Sequence, residues 1–234
     1  MKNIVHKASR LLFTLLAVFP ASWANDGSRL WLDYRYVEDY ATRESYLGYA
    51  KAIYYTTATP TIKVAAGELS RAMSEMLLAE PVLKTGSHIA TGGVVLGFAG
   101  DSPVRKYGGG LAGLGDDAYR IVEANGLIYI VGNTDKGVLY GTFHLIRLMQ
   151  AGRSIDGLDI TESPSYDIRM LNHWDNPDRS VERGHAGAPI REWESLPGEV
   201  SPRYLEYARA NAPGGTNARP FTTPVASHEP TPVY

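Results

Sequence analysis

The chain of 234 residues contains no cysteine. Disulfides, cysteine-ligated zinc and thiol catalysis are therefore excluded. Long apolar runs are missing too. Leu11 to Phe19 is the only run that invites comparison with a membrane span, and crossing a bilayer core takes about 20 residues. Charge of one sign is not in excess: the formal net charge is −2, which gives no electrostatic footprint for a nucleic-acid partner. No G-x-x-x-x-G-K-[ST], H-E-x-x-H or G-x-S-x-G pattern occurs, so the sequence offers no phosphate loop, zincin helix or serine elbow.

At the N-terminus, Lys2, Lys7 and Arg10 precede the short apolar run, and Ser22 and Ala24 put small residues before Asn25. This is the layout of a secretory signal peptide over residues 1–24, which implies export to the periplasm or medium.

From Leu30 to about Gly152 the pattern is mixed α and β. Leu30-Trp31-Leu32 suggests an edge strand. Leu69, Met73, Met76 and Leu77 fall at helical spacing and predict a helix over 68–79, stopped by Pro81. Gly93 to Phe98 reads as a buried strand. Tyr119 to Ala124, Asn125-Gly126 and Leu127 to Val131 predict a hairpin, because Asn-Gly accepts the positive φ of a type I′ turn. A helix with a wide apolar face follows, capped by Thr134 or Asp135 and closed by Gly152.

Thr161 to Pro164 reads as a polar joint and Asp167 to Leu171 as a new strand. Ser201-Pro202 opens a helix to about Ala212. Pro213 to Tyr234 holds five of the 14 prolines and no period. It reads as a disordered segment, out of frame or truncated.

Gly108 to Gly113 matches G-x-G-x-x-G literally but lacks the flanking strand and helix of a dinucleotide site, so it reads as a flexible surface loop. His88 and His144 have no second ligand at metal spacing. Residues 172–194 differ: His173, Trp174, Asp175, Asp178, Glu182, His185, Trp193 and Glu194 crowd behind a predicted strand. Aromatic faces stack on sugar rings, and carboxylates bond sugar hydroxyls. A solvated loop with capping aspartates is the competing reading of the same residues.

Three stretches carry a family resemblance: Arg169 to Asn176, continued by Ser180 to Gly184; Trp193 to Gly198; and Ser201 to Ala212. They resemble the bacterial and fungal α-glucuronidases of glycoside hydrolase family 67. Gly137 to Ile146, with the hairpin before it, resembles the small α/β domain preceding the barrel in that family and in the β-hexosaminidases.

The resemblance implies a small mixed α/β sandwich over 25–160 and the first βα unit of an incomplete (β/α)₈ barrel over 161–212; the proline-rich tail over 213–234 departs from the family, whose members continue into the second barrel strand. It implies hydrolysis of α-1,2-linked glucuronic acid, or its 4-O-methyl ether, on xylo-oligosaccharides, with no metal or cofactor; charge and the lack of a spanning segment give no reason to expect a nucleic-acid or membrane partner. Inversion needs one carboxylic acid on the leaving oxygen and one carboxylate on water, about 6.5–9.5 Å apart. Neither acid has a counterpart here, so the chain alone is expected to be inactive. Asn172, His173, Trp174 and Asp175 correspond to the sugar-binding mouth at the first barrel strand, with Glu182 and Arg183 as further contacts. The alternative is a non-catalytic xylo-oligosaccharide-binding module centred on Trp174.

Overall fold

A computed structural model describes residues 29–86, 88–171, 173–174, 195, 198, 200–217 and 221–222. The chain divides into Met1–Asp33 and Tyr34–Tyr234. In the first unit, Leu30–Leu32 form a 3₁₀ turn, closed by the Leu32 N–H donating to the Arg29 carbonyl at 2.9 Å. The expected edge strand is absent there: Leu30 sits at φ 51°, outside the extended region that a strand requires.

The second unit is built on a six-stranded mixed sheet. Its strands are β1 (Ala52–Tyr55), β2 (Val82–Thr85), β3 (Gly93–Phe98), β4 (Tyr119–Ala124), β5 (Leu127–Gly132) and β6 (Asp159–Glu162), in the order β2-β1-β3-β5-β4-β6. The first four in that order run parallel; β4 is antiparallel to both β5 and β6. The helices are α1 (Tyr40–Leu47), α2 (Pro60–Leu77), α3 (Asp135–Gln150) and α4 (Pro202–Asn211).

Strand alternation divides the core into two layers. Ile53, Val94, Leu96, Ile121, Ile128 and Ile130 are fully buried on the face where α2 and α3 pack side by side. The opposite face presents Ala52, Tyr54, Val95, Leu127, Tyr129 and Val131, covered by Val104, Leu111 and Ala118. The glycine-rich loop is thus a lid on the sheet, held by buried Leu111 and by Tyr107 stacked on Tyr129 at 3.9 Å. Gly109, Gly110, Ala112 and Gly113 stay exposed, so the expected surface loop is one pinned to the sheet at Leu111 and Tyr107.

The helix α2 starts eight residues before its expected beginning. Thr59 caps it by accepting from the Ile62 N–H at 3.2 Å, and Pro60 takes the first turn, where its missing donor costs nothing. The β4–β5 hairpin turns at Asn125 (φ 55°) and Gly126 (φ 70°), as a type I′ turn demands. Thr134 is the N-cap of α3, yet its hydroxyl donates to the Asp116 carbonyl at 2.9 Å instead of capping. Gly137 lets α3 approach the chain entering β4: a Cβ there would lie 2.4 Å from the Ala118 carbonyl oxygen.

The joint after α3 differs from expectation. Residues 159–162 form β6, which completes the sheet beside β4 and straddles the boundary expected at 160. Of Asp167 to Leu171 only Met170 makes a β-bridge, so the expected strand is reduced to that single pairing. Asn217 bonds the backbone of Asp167 and Arg169, and the strand β7 (His173–Trp174) follows. It pairs in parallel with β8 (Phe221–Thr222). The segment expected to lack structure from Pro213 onward is therefore packed at residues 213–217 and paired at 221–222. Its prolines had masked the polar anchors between them.

Candidate functional site

Of the residues expected in a sugar-binding mouth, His173 and Trp174 form β7. Asn172, Asp175, Glu182 and Arg183 lie outside the described residues. The structure therefore gives the backbone position of the middle of the motif.

Four residues before β7, Arg169 is the centre of a polar junction. Its Nε donates to the Gly215 carbonyl at 2.7 Å and its Nη1 to the Tyr166 carbonyl at 2.6 Å. Its Nη2 forms an ion pair with Asp117, and the guanidinium lies over the Tyr140 ring at 5.7 Å. The Arg169 and Asp117 side chains are only 18% and 12% exposed, so water competes weakly for the pair. Asn217 closes the junction. Its Nδ2 donates to Asp117 at 3.1 Å and to the Asp167 carbonyl at 2.7 Å, and its Oδ1 accepts from the Arg169 N–H at 3.0 Å.

A cavity of about 310 Å³ opens beside this junction, lined by Asp116, Asp117, Lys136, Tyr166, Asp167 and Arg169 among others. Asp117 and Arg169 are already bonded to each other, which leaves the exposed side chains at the rim to meet solvent or solute. Across Arg169 lies a smaller cavity of about 180 Å³, which His144, Arg147 and Glu162 help to line. The Tyr119 hydroxyl and His144 Nδ1 are 2.9 Å apart. Burial holds the His144 imidazole below its ordinary value, Arg147 adds to this, and Glu162 opposes it. Burial pushes the Tyr119 hydroxyl up to about 12, with Glu162 adding to the rise.

A second anchor ties α4 to α2. Glu68 is 4% exposed within the apolar stripe of α2. Tyr34 donates to Glu68 Oε1 at 2.6 Å; Arg209 donates to Oε1 at 2.6 Å and to Oε2 at 2.8 Å. Arg209 also pairs with Glu206. Burial drives the Glu68 carboxyl upward, but the hydrogen bonds from Arg209 and Tyr34 outweigh it and hold the group below its ordinary value. Burial and the Glu68 contact push the Tyr34 hydroxyl up.

Sequence reasoning missed Glu68, Asp117, Arg209 and Asn217 as anchors. One signal was available: a glutamate inside a helix's apolar stripe demands a buried partner. Asp117 and Asn217 gave no such signal, because the contact between them spans 100 residues of chain. Among the described residues no group of three His, Asp or Glu is arranged to hold a metal ion, and no helix is long and apolar enough to cross a membrane.

Two family models match in tandem. "Glycosyl hydrolase family 67 N-terminus" covers residues 30–145 and "Glycosyl hydrolase family 67 middle domain" covers residues 148–229. The second match runs through most of the proline-rich tail. α-Glucuronidase A of Emericella nidulans is 35% identical over 108 residues, 44% of this chain and 13% of that protein. α-Glucuronidase A of Aspergillus tubingensis is 26% identical over 189 residues, 80% of this chain and 22% of that protein. The chain thus spans less than a quarter of the length of these curated relatives. A solved family GH115 4-O-methyl-α-glucuronidase with specificity for decorated arabinogalactans superposes at a TM-score of 0.49 and 15% identity, over 73% of this chain and 25% of that one.

Proposed function

Because the chain belongs to glycosyl hydrolase family 67, we propose that it supplies the N-terminal α/β domain of an α-glucuronidase and the opening βα unit of its catalytic barrel. The substrate of the whole enzyme is glucuronic acid, or its 4-O-methyl ether, α-1,2-linked to xylo-oligosaccharides. The observation that carries the reading is the tandem match of the two family models, supported by α-glucuronidases among the curated relatives.

In this reading the α/β domain is a platform. The Glu68–Arg209 and Asp117–Arg169 pairs fix α4 and the approach to β7 on it. Residues at the C-terminal end of a barrel strand line the active-site mouth. Asn172, His173, Trp174 and Asp175 contribute there to sugar binding, with Trp174 as the stacking face and Glu182 and Arg183 as further contacts. The acid and base of an inverting pair belong to later strands of the whole enzyme. Residues 1–24 direct export.

The test is turnover of aldotetraouronic acid. The chain alone releases no glucuronic acid, whereas the chain joined to the remainder of a family 67 α-glucuronidase does. Release by the chain alone, or none by the joined protein, overturns the reading. N-terminal sequencing of protein recovered outside the cytoplasm reads the export claim separately, and a mature chain beginning at Asn25 is expected.

A further inference from the structure

We propose that Asn217 is a positioning residue that sets the register of β7 against β8 and so fixes the place of His173 and Trp174. The consequence for carbohydrate binding rests on the function proposed above; the register claim itself does not.

Among the described residues the pairing of β7 with β8 covers two residues per strand, with Met170 in a β-bridge upstream. A two-stranded pair is marginal on its own even at ordinary strand length, and register is weakly specified where few side chains enforce it. A slip of one residue turns every side chain of a strand to the opposite face. A side-chain anchor close to the strands therefore adds to what holds the register.

The structure places that restraint at Arg169 and Asn217. They are 48 residues apart, the same separation as the paired residues His173 and Phe221 and the paired residues Trp174 and Thr222. The Asn217 N–H donates to the Arg169 carbonyl at 2.9 Å, and the Arg169 N–H donates to Asn217 Oδ1 at 3.0 Å. Asn217 thus engages both backbone groups of Arg169. Each member of this pair stands four residues before the first residue of its strand, so the pair and the strands share one offset.

Asn217 is itself held. Both of its amide hydrogens are used, one on Asp117 and one on the Asp167 carbonyl, and Asp117 is tied in turn to Arg169. Asparagine alone among residues of this size both donates twice and accepts from one side chain. Aspartate would keep the acceptor, lose the donors and set a second carboxylate against Asp117; alanine would lose donors and acceptor alike.

Hydrogen exchange of the full chain, read by mass spectrometry, tests this. In the wild type, peptides holding His173–Trp174 and Phe221–Thr222 exchange slowly. In Asn217→Ala they exchange at least about tenfold faster, the scale of one buried polar group left unpaired, while β3 and β5 keep wild-type protection. Asn217→Ser, which keeps a short hydroxyl and adds no charge beside Asp117, falls between. Should the alanine variant lose protection throughout the sheet, the serine variant gives the reading. Unchanged exchange at β7 in a folded variant, or no protection there in the wild type, overturns the proposal. In the joined enzyme the alanine variant raises KM for aldotetraouronic acid. Lost protection at β7 with an unchanged KM leaves the register claim standing and removes the sugar-contact reading of His173 and Trp174.

Discussion

Glu68 and Arg209 meet across 141 residues of chain, with two Arg209 nitrogens on the two oxygens of one carboxylate at 2.8 Å and 2.6 Å. The pair joins α2 under the sheet to α4, and it leaves the Glu68 carboxylate 4% exposed and fully bonded.

Removing one partner strands the other. Arg209→Met leaves a buried carboxylate without its cation and is expected to cost about 3–5 kcal/mol. Replacing both, as Glu68→Met with Arg209→Leu, costs far less, because no charge stays behind. Urea denaturation of the two variants checks the contrast. Equal losses would mean that the pair contributes only packing.

The same carboxylate makes stability fall in acid. Its folded value lies below the ordinary 4.5. Its contribution is therefore complete above that value and is lost as the pH falls through the folded value. Urea midpoints measured between about pH 6 and pH 3 should drop more steeply for the wild type than for Glu68→Gln.

A second acid-sensitive contribution is expected nearer neutrality. The folded value of His144 lies below the ordinary 6.5, through burial first and then Arg147. The unfolded chain takes up the proton more readily, so stability is full above 6.5 and declines as the pH falls below it. His144→Gln should flatten the profile between about pH 7 and pH 5. An unchanged slope would assign the decline to other groups.

Gly137→Ala should destabilise by about 1–3 kcal/mol, the usual cost of forcing an extra carbon into a packed site. The new Cβ would lie 2.4 Å from the Ala118 carbonyl oxygen, a backbone atom with no rotamer to yield. Thermal unfolding measures it. A neutral result would show that α3 can shift without loss.

In the joined enzyme, Trp174→Ala should raise KM for aldotetraouronic acid by about tenfold, the scale of one aromatic contact, with kcat changed less. Steady-state kinetics separates the two. A fall in kcat at constant KM would place Trp174 in transition-state stabilisation instead.

Local elements were legible from the sequence because their causes are local. Alternating and helical apolar spacing determined β3, the hairpin and the cores of α2 and α3; the Asn125-Gly126 turn and the Ser201-Pro202 start were readable one residue at a time. The motif around Trp174 was enough to reach the family. What the sequence did not determine were the contacts between distant segments. β6 carries only four residues, DITE, and is a strand because β4 offers it an edge. Residues 167–171 have the apolar content of a strand, yet only Met170 makes a β-bridge, and Asn217 and Gly215 engage the backbone of Arg169 and its side chain. Asn217 stands in a proline-rich stretch without period, and only the fold brings it to Asp117 and Arg169. Periodicity records which face of an element meets the core. Partners 48, 100 or 141 residues away leave no periodic trace, because hydrogen-bonding geometry is satisfied in space rather than along the chain.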